Sequence, residues 1–86
     1  MKIEFTRHAE FKLELLKEHG FEISKDQVKD VIKDPDSVKK GKKGRQIAQK
    51  VINKTHILRV IYITINNTIR VITLYPARRT RYENKI

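Results

Sequence analysis

Eighty-six residues without a cysteine make one domain, 1–86, whose thin core buries roughly 60–65% of the surface of the unfolded chain, and they exclude disulfide frameworks and thiolate metal sites. The net charge of +10 is unevenly placed: residues 1–36 hold seven Lys and Arg against nine Asp and Glu, a balance of −2, whereas residues 37–86 hold thirteen against Glu83 alone, a balance of +12. No run approaches the roughly 20 apolar residues of a membrane span and Met1-Lys2-Ile3-Glu4-Phe5 opens no signal-like apolar stretch, so the expected address is cytoplasmic.

Lys2 to Phe5 alternates Ile3 and Phe5 with charged residues, the pattern of a short half-buried strand. Thr6 is placed to cap a helix from about Arg7 to His19, along which Ala9, Leu13 and Leu16 recur at helical spacing, Phe11 and Leu15 widen the stripe, and Gly20 gives the stop. Ser24 with Gln27 forms a capping box for a second helix, flanked by the staple pair Ile23 and Val28. Val28, Val31 and Ile32 share one face of that helix, and Asp34-Pro35 ends it, because the residue before proline is pushed out of the helical region.

Lys39-Lys40-Gly41-Lys42-Lys43-Gly44-Arg45 holds five cations and two glycines, with no apolar face to dock, and reads as a mobile loop. The strands Gln46–Ile52, Thr55–Ile65 and Thr68–Tyr75 follow, rich in β-branched residues and separated by the two-residue turns Asn53-Lys54 and Asn66-Asn67. Pro76 is expected to stop the last of them. The fold class is α+β, in β-α-α-β-β-β order: two N-terminal helices packed on one face of a twisted antiparallel sheet.

With both turns read as two-residue hairpins, 65 pairs with 68 and 52 with 55, and the side chains sort into two faces. One face collects Ile47, Val51, Leu58, Val60, Tyr62, Ile69, Val71 and Tyr75, the bed for the helices. The other carries Gln46, Lys50, Arg59 and Arg70 among Ile57, Ile61, Ile63 and Ile72, with no acid expected anywhere on the sheet to pair with the cations. A cation set in an apolar surface is costly unless it meets an anion. Two bland alternatives stand beside that: a dimer or partner surface past whose isoleucines the arginines reach solvent, and a basic surface kept for solubility, although solubility patterns normally mix both signs. The charge of the second half points to a phosphate backbone, with RNA as partner. Lys39, Lys40, Lys42, Lys43, Arg45, Lys50, Arg70 and Arg81 are the candidate RNA-binding residues.

Several phrases together carry a resemblance. Arg59-Val60-Ile61-Tyr62, an isoleucine-rich strand after it, and then Arg78-Arg79 and Tyr82 resemble the RelE-type toxins of toxin–antitoxin pairs. Lys17-Glu18-His19-Gly20-Phe21 ahead of a capped helix ending in Asp34-Pro35-Asp36, together with Pro76-Ala77-Arg78 through Tyr82-Glu83, is similar to the BrnT branch. Thr6-Arg7-His8-Ala9 is similar to an uncharacterised family of small domains grouped near these toxins. The resemblance implies a RelE-like fold and metal-independent, cofactor-free cleavage of mRNA, in some members on the ribosome, by attack of the 2′-OH on the neighbouring phosphate. It also implies an acidic, partly disordered antitoxin as partner.

The residues support such chemistry on their own grounds. A phosphorane needs fixed cations, and arginine binds phosphate oxygens in two places while staying charged, which makes Arg59, Arg78 and Arg79 the catalytic candidates. Proton transfer needs an acceptor and a donor, for which His8, His56, Tyr82 and Lys50 are available. His8 near a helix start is equally a capping or packing residue. A magnesium nuclease is disfavoured because that ion takes carboxylates. A non-catalytic RNA-binding or ribosome-associated module shares the charge but normally interleaves aromatics, and only Tyr62, Tyr75 and Tyr82 lie in the basic half.

Overall fold

The structure, a computed structural model, describes the backbone of residues 2–82 and the side chains of residues 2–80. In chain order it contains β1 (Lys2–Phe5), α1 (Arg7–Glu18), α2 (Lys25–Lys33), β2 (Ser37–Lys40), a 3-10 turn (Lys42–Gly44), β3 (Gln46–Val51), β4 (His56–Ile65), β5 (Thr68–Arg78) and a short α3 (Arg79–Tyr82). The fold is α+β, with a five-stranded mixed sheet in the order β1-β5-β4-β3-β2. No helix among the described residues is long and apolar enough to cross a membrane.

Both helices start and stop where the residue types demand. Thr6 Oγ1 accepts from Ala9 N at 3.1 Å and donates to Ile72 O at 3.1 Å, so one hydroxyl both caps α1 and ties its start to β5. At the other end Gly20 sits at φ 89°, Gly20 N donates to Lys17 O and Phe21 N to Leu16 O. That pair of bonds is a Schellman motif, and the positive φ is why glycine stands there. Ser24 Oγ accepts from Gln27 N while Gln27 Oε1 accepts from Ser24 N, completing the expected capping box, and α2 gives way at Asp34 before Pro35.

The helices lie on one face of the sheet. Ala9, Ile23, Val28, Val31 and Ile32 pack with Ala48, Leu58, Val60, Tyr62, Ile69, Val71 and Leu74, and Ile3, Phe5, Leu13, Leu16 and Phe21 close the margins. The opposite face has no helix layer among the described residues apart from α3, which follows β5.

Five expectations from the sequence are corrected. The sheet has five strands and is mixed, not antiparallel throughout, because β1 joins it parallel to β5, Lys2 opposite Thr68 through Phe5 opposite Val71. Ser37–Lys40 is a fourth antiparallel partner, paired with β3 from Ser37 opposite Gln49 to Lys40 opposite Gln46, so only 41–45 of the lysine-rich segment is connection. An outermost strand exposes its side chains on both sides of the ribbon, and lysines are tolerated there without an apolar face.

The turn at Asn53-Lys54 is longer than two residues. Asn53 Oδ1 accepts from Thr55 N at 2.9 Å and His56 N at 2.8 Å, and Ile52 N donates to His56 O, an asparagine-centred turn that takes in Ile52 and Thr55. The register of β3 therefore moves by one, to Val51 opposite Ile57 and Gln49 opposite Arg59, and a one-residue slip exchanges faces. Ile47 and Val51 leave the helix side; Gln46 and Lys50 enter it. At Asn66-Asn67 the two-residue turn holds, with both residues at positive φ, 49° and 63°, and Ile65 opposite Thr68.

Farther along β5 a bulge between Ile61 and Tyr62 adds one residue, so that Val60 faces Leu74 and Arg59 faces Tyr75. Leu74 enters the core, and Tyr75 moves to the side away from the helices. Nor does Pro76 end the strand: β5 runs through it to Arg78. Its missing N–H is harmless because β1 covers β5 only as far as Val71, and proline is admitted where a strand is an edge.

Candidate nucleic-acid interface

Away from the helices, one row of side chains crosses four strands: Ser37 on β2 opposite Gln49, Gln49 opposite Arg59 on β4, and Arg59 opposite Tyr75 on β5. Alternation along each strand puts Ile57, Ile61, Ile63, Thr73 and Ala77 on the same face. Gln49 is only 4% exposed and Ile57 fully buried, although neither lies under α1 or α2. Arg59 is half-buried, and its guanidinium carbon stands 5.7 Å from the centroid of the Tyr75 ring. The aromatic face attracts the cation and fixes its direction across the sheet.

The other candidates divide around this row. Arg79 opens α3 at the end of β5, with its backbone N–H on Thr55 O at 2.9 Å and its guanidinium 3.4 Å from Lys54 O. Its backbone continues the Arg59–Tyr75 and Ile57–Ala77 pairs toward the β3–β4 turn. Arg78 does not join it: opposite His56, it alternates with Leu74 and Pro76 and so points to the helix side. Arg70 is exposed on the open face, but it is not without an acid, since Glu4 of β1 lies directly opposite at 3.8 Å and also meets Lys2 at 3.4 Å. The expectation of an acid-free sheet is corrected by β1, whose membership in the sheet brings Glu4 in.

Lys50 is the candidate that the structure moves farthest. On the helix side its Nζ meets Asp30 Oδ2 at 2.9 Å and Asp34 Oδ2 at 3.1 Å, bridging α2 to β3. The Asp30 hydrogen bond, then that of Asp34, raises the ammonium's pKa above its ordinary 10.5, so Lys50 is a held cation and not a proton acceptor. His8, exposed on the second residue of α1, belongs to the helix layer. His56 also points that way, with its ring edge-on to Phe21 at 5.2 Å and Nδ1 2.8 Å from Thr55 Oγ1. The side chains of Tyr82 and Arg81 lie outside the described residues.

Lys39, Lys40, Lys42, Lys43 and Arg45 gather on β2 and the connection to β3, all exposed. Gly41 N donates to Arg45 O at 2.8 Å and Arg45 N to Lys42 O at 3.2 Å, so this tip is a closed hairpin and not a loose loop. Its cations stand at the end of the sheet where β4 meets the Asn66-Asn67 turn, while Lys54 and Arg79 stand at the other end, with Arg59 between them on the open face. Sequence reasoning found these cations but missed Gln49 and Tyr75 as neighbours of Arg59. The signal for Gln49 was Asn53, whose side chain closes a longer turn and moves the register of β3 by one; Tyr75 had none, because the bulge that moves it leaves no mark in the sequence. A cleft of about 520 Å³ between α1 and α2 is lined by residues of both signs, Glu14, Lys17, Glu22 and Lys25 among them, and is remote from this row. The chain matches no protein-family model, no curated protein and no solved structure.

Proposed function

We propose that the chain binds RNA across the sheet face that turns away from α1 and α2 and cleaves mRNA without a metal, as the toxin of a toxin–antitoxin pair, the activity that its resemblance to RelE-type and BrnT-type toxins implies. The observation that carries the reading is Arg59, half-buried at mid-strand on that face and aimed by the ring of Tyr75. A cation fixed before substrate arrives stabilises charge on a phosphorane without reorganisation. The cationic hairpin at one end and Arg79 at the other extend the phosphate track beyond this residue. An acidic antitoxin would cover the same charge.

One observation favours a second reading. His8 on α1, His19 at the end of α1 and His56 all sit on the helix side, so no histidine stands beside Arg59 to move a proton, and an RNA-binding module that does no chemistry needs none. The two readings part in one experiment: purified chain is incubated with mRNA, with and without ribosomes. Cleavage that survives a chelator and falls roughly 10²–10³-fold in Arg59→Ala supports the ribonuclease. RNA that stays intact but bound supports the module, and RNA neither bound nor cut overturns both.

A further inference from the structure

The sheet has a built edge that the RNA reading does not use. Among the described residues no strand lies outside β2. Gly41 N donates across the hairpin to Arg45 O, and in an antiparallel ladder every second residue makes such bonds. Counting back along the register, Lys39 opposite Ile47 and Ser37 opposite Gln49 turn their backbone groups to β3. The N–H and C=O of Val38 and Lys40 therefore face outward. Val38 is a valine with 47% of its surface exposed, beside this open backbone.

An open edge is a template for another strand, and its side chains select which. A second copy of this chain is a poor occupant: pairing β2 with itself sets Lys39 and Lys40 near their own equivalents and draws two Lys42-Lys43-Arg45 tips together, and like charges facing each other across a ladder destabilise it. The same cations favour a strand of opposite sign. RNA offers no amide ladder to the edge.

We propose that β2 is the docking edge for an acidic, extended peptide segment of another protein, which adds as a sixth strand, bonds the backbone of Val38 and Lys40, sets an apolar side chain against Val38, and directs carboxylates to Lys40, Lys42, Lys43 and Arg45. This deepens the partner half of the function above and rests on that reading only for the partner's acidity. The test needs no RNA.

The probe is a synthetic peptide of alternating glutamate and valine, titrated into the full chain while backbone amide exchange is followed residue by residue. Saturation should slow exchange of the Val38 and Lys40 amides by roughly tenfold or more, leave β1 unchanged, and be weakened roughly tenfold by N-methylation of alternate peptide residues, which removes the ladder bonds and keeps the charge. Binding that ignores N-methylation, or that leaves both amides unprotected, is plain charge attraction and overturns the proposal, as does no binding at low salt. Protection of Val38 and Lys40 without peptide, rising with protein concentration, assigns the edge to a second copy instead. If the peptide adds as a strand and RNA stays intact, the ribonuclease fails and this edge stands.

Discussion

Lys50 and Arg59 are nine residues apart, both basic and both on strands, yet their surroundings give them opposite work. Lys50 lies on the helix side with two carboxylates on its ammonium, and Arg59 lies on the opposite face against the Tyr75 ring and across from Gln49. Replacing a cation already neutralised within the fold removes no phosphate contact. Lys50→Gln should leave the dependence of RNA affinity on salt unchanged, while Arg59→Gln should lower the log–log slope by about 0.7, the share of one contact to a single strand. Titrations at several salt concentrations read this directly, and an equal drop for both would place Lys50 in the interface. The same residue scale sets an alkaline limit. Burial raises the Tyr62 phenol above its ordinary 10.0, and its carboxylate partners raise Lys50 above 10.5. A group whose pKa is higher folded than unfolded adds stability that is complete below its unfolded value and is lost as pH climbs through the folded one. Stability should therefore hold through neutral pH and fall above about pH 10. Tyr62→Phe should remove part of that fall in thermal melts taken from pH 8 to 11. A fall that begins near pH 8 would point to other groups.

At the scale of elements, turn backbones decide more than strand composition does. Lys43 holds φ 58° and ψ 40° without being glycine, a left-handed conformation that crowds any Cβ. Lys43→Gly should raise the melting temperature by a few degrees, the usual consequence of about 0.5–1 kcal/mol in a domain of this size, and Lys43→Ser should not. Both remove the same charge, so both should weaken RNA binding alike; calorimetry and an RNA titration on the pair separate backbone strain from charge. The turns also explain what the sequence made legible. Thr6, Gly20, Ser24 with Gln27, and Asp34-Pro35 each act within four residues of chain, and each element end stands where they put it. Asn66-Asn67 likewise fixes its hairpin locally. The register of β3 depends on whether Asn53 closes the loop with its backbone or its side chain, and on Asp30 and Asp34 waiting on α2 for Lys50. Those acids are 16 and 20 positions away, beyond any local pattern. β2 was hidden because Lys39 and Lys40 have no apolar alternation to announce a strand, and the bulge beside Tyr62 because nothing in an isoleucine-rich run marks the extra residue.

Over the whole molecule, charge follows the layers. Residues 7–33, which span the two helices, carry six Lys and Arg and six Asp and Glu, so the helix side is balanced and the excess belongs to the sheet and its ends. A molecule that attracts RNA through net charge alone would not distinguish these regions, because beyond a Debye length, roughly 8 Å at physiological salt, each charge is screened and only those near a phosphate count. Two triple variants that each remove three positive charges decide the matter. Lys42, Lys43 and Arg45 changed to Gln strip the hairpin tip; Lys12, Lys17 and Lys29 changed to Gln strip the helix layer, where glutamine keeps the helix propensity. If the interface is the open face with its cationic ends, the hairpin variant should lose up to about two units of log–log salt slope, at 0.7 for each contact, and the helix variant should lose almost none. Melting temperatures close to the parent's would confirm that the comparison reads binding, since exposed substitutions of this kind are typically worth under about 0.5 kcal/mol each. Equal losses in the two variants would show that RNA meets the chain without a preferred face, and Arg59 would then have no special claim on the phosphate.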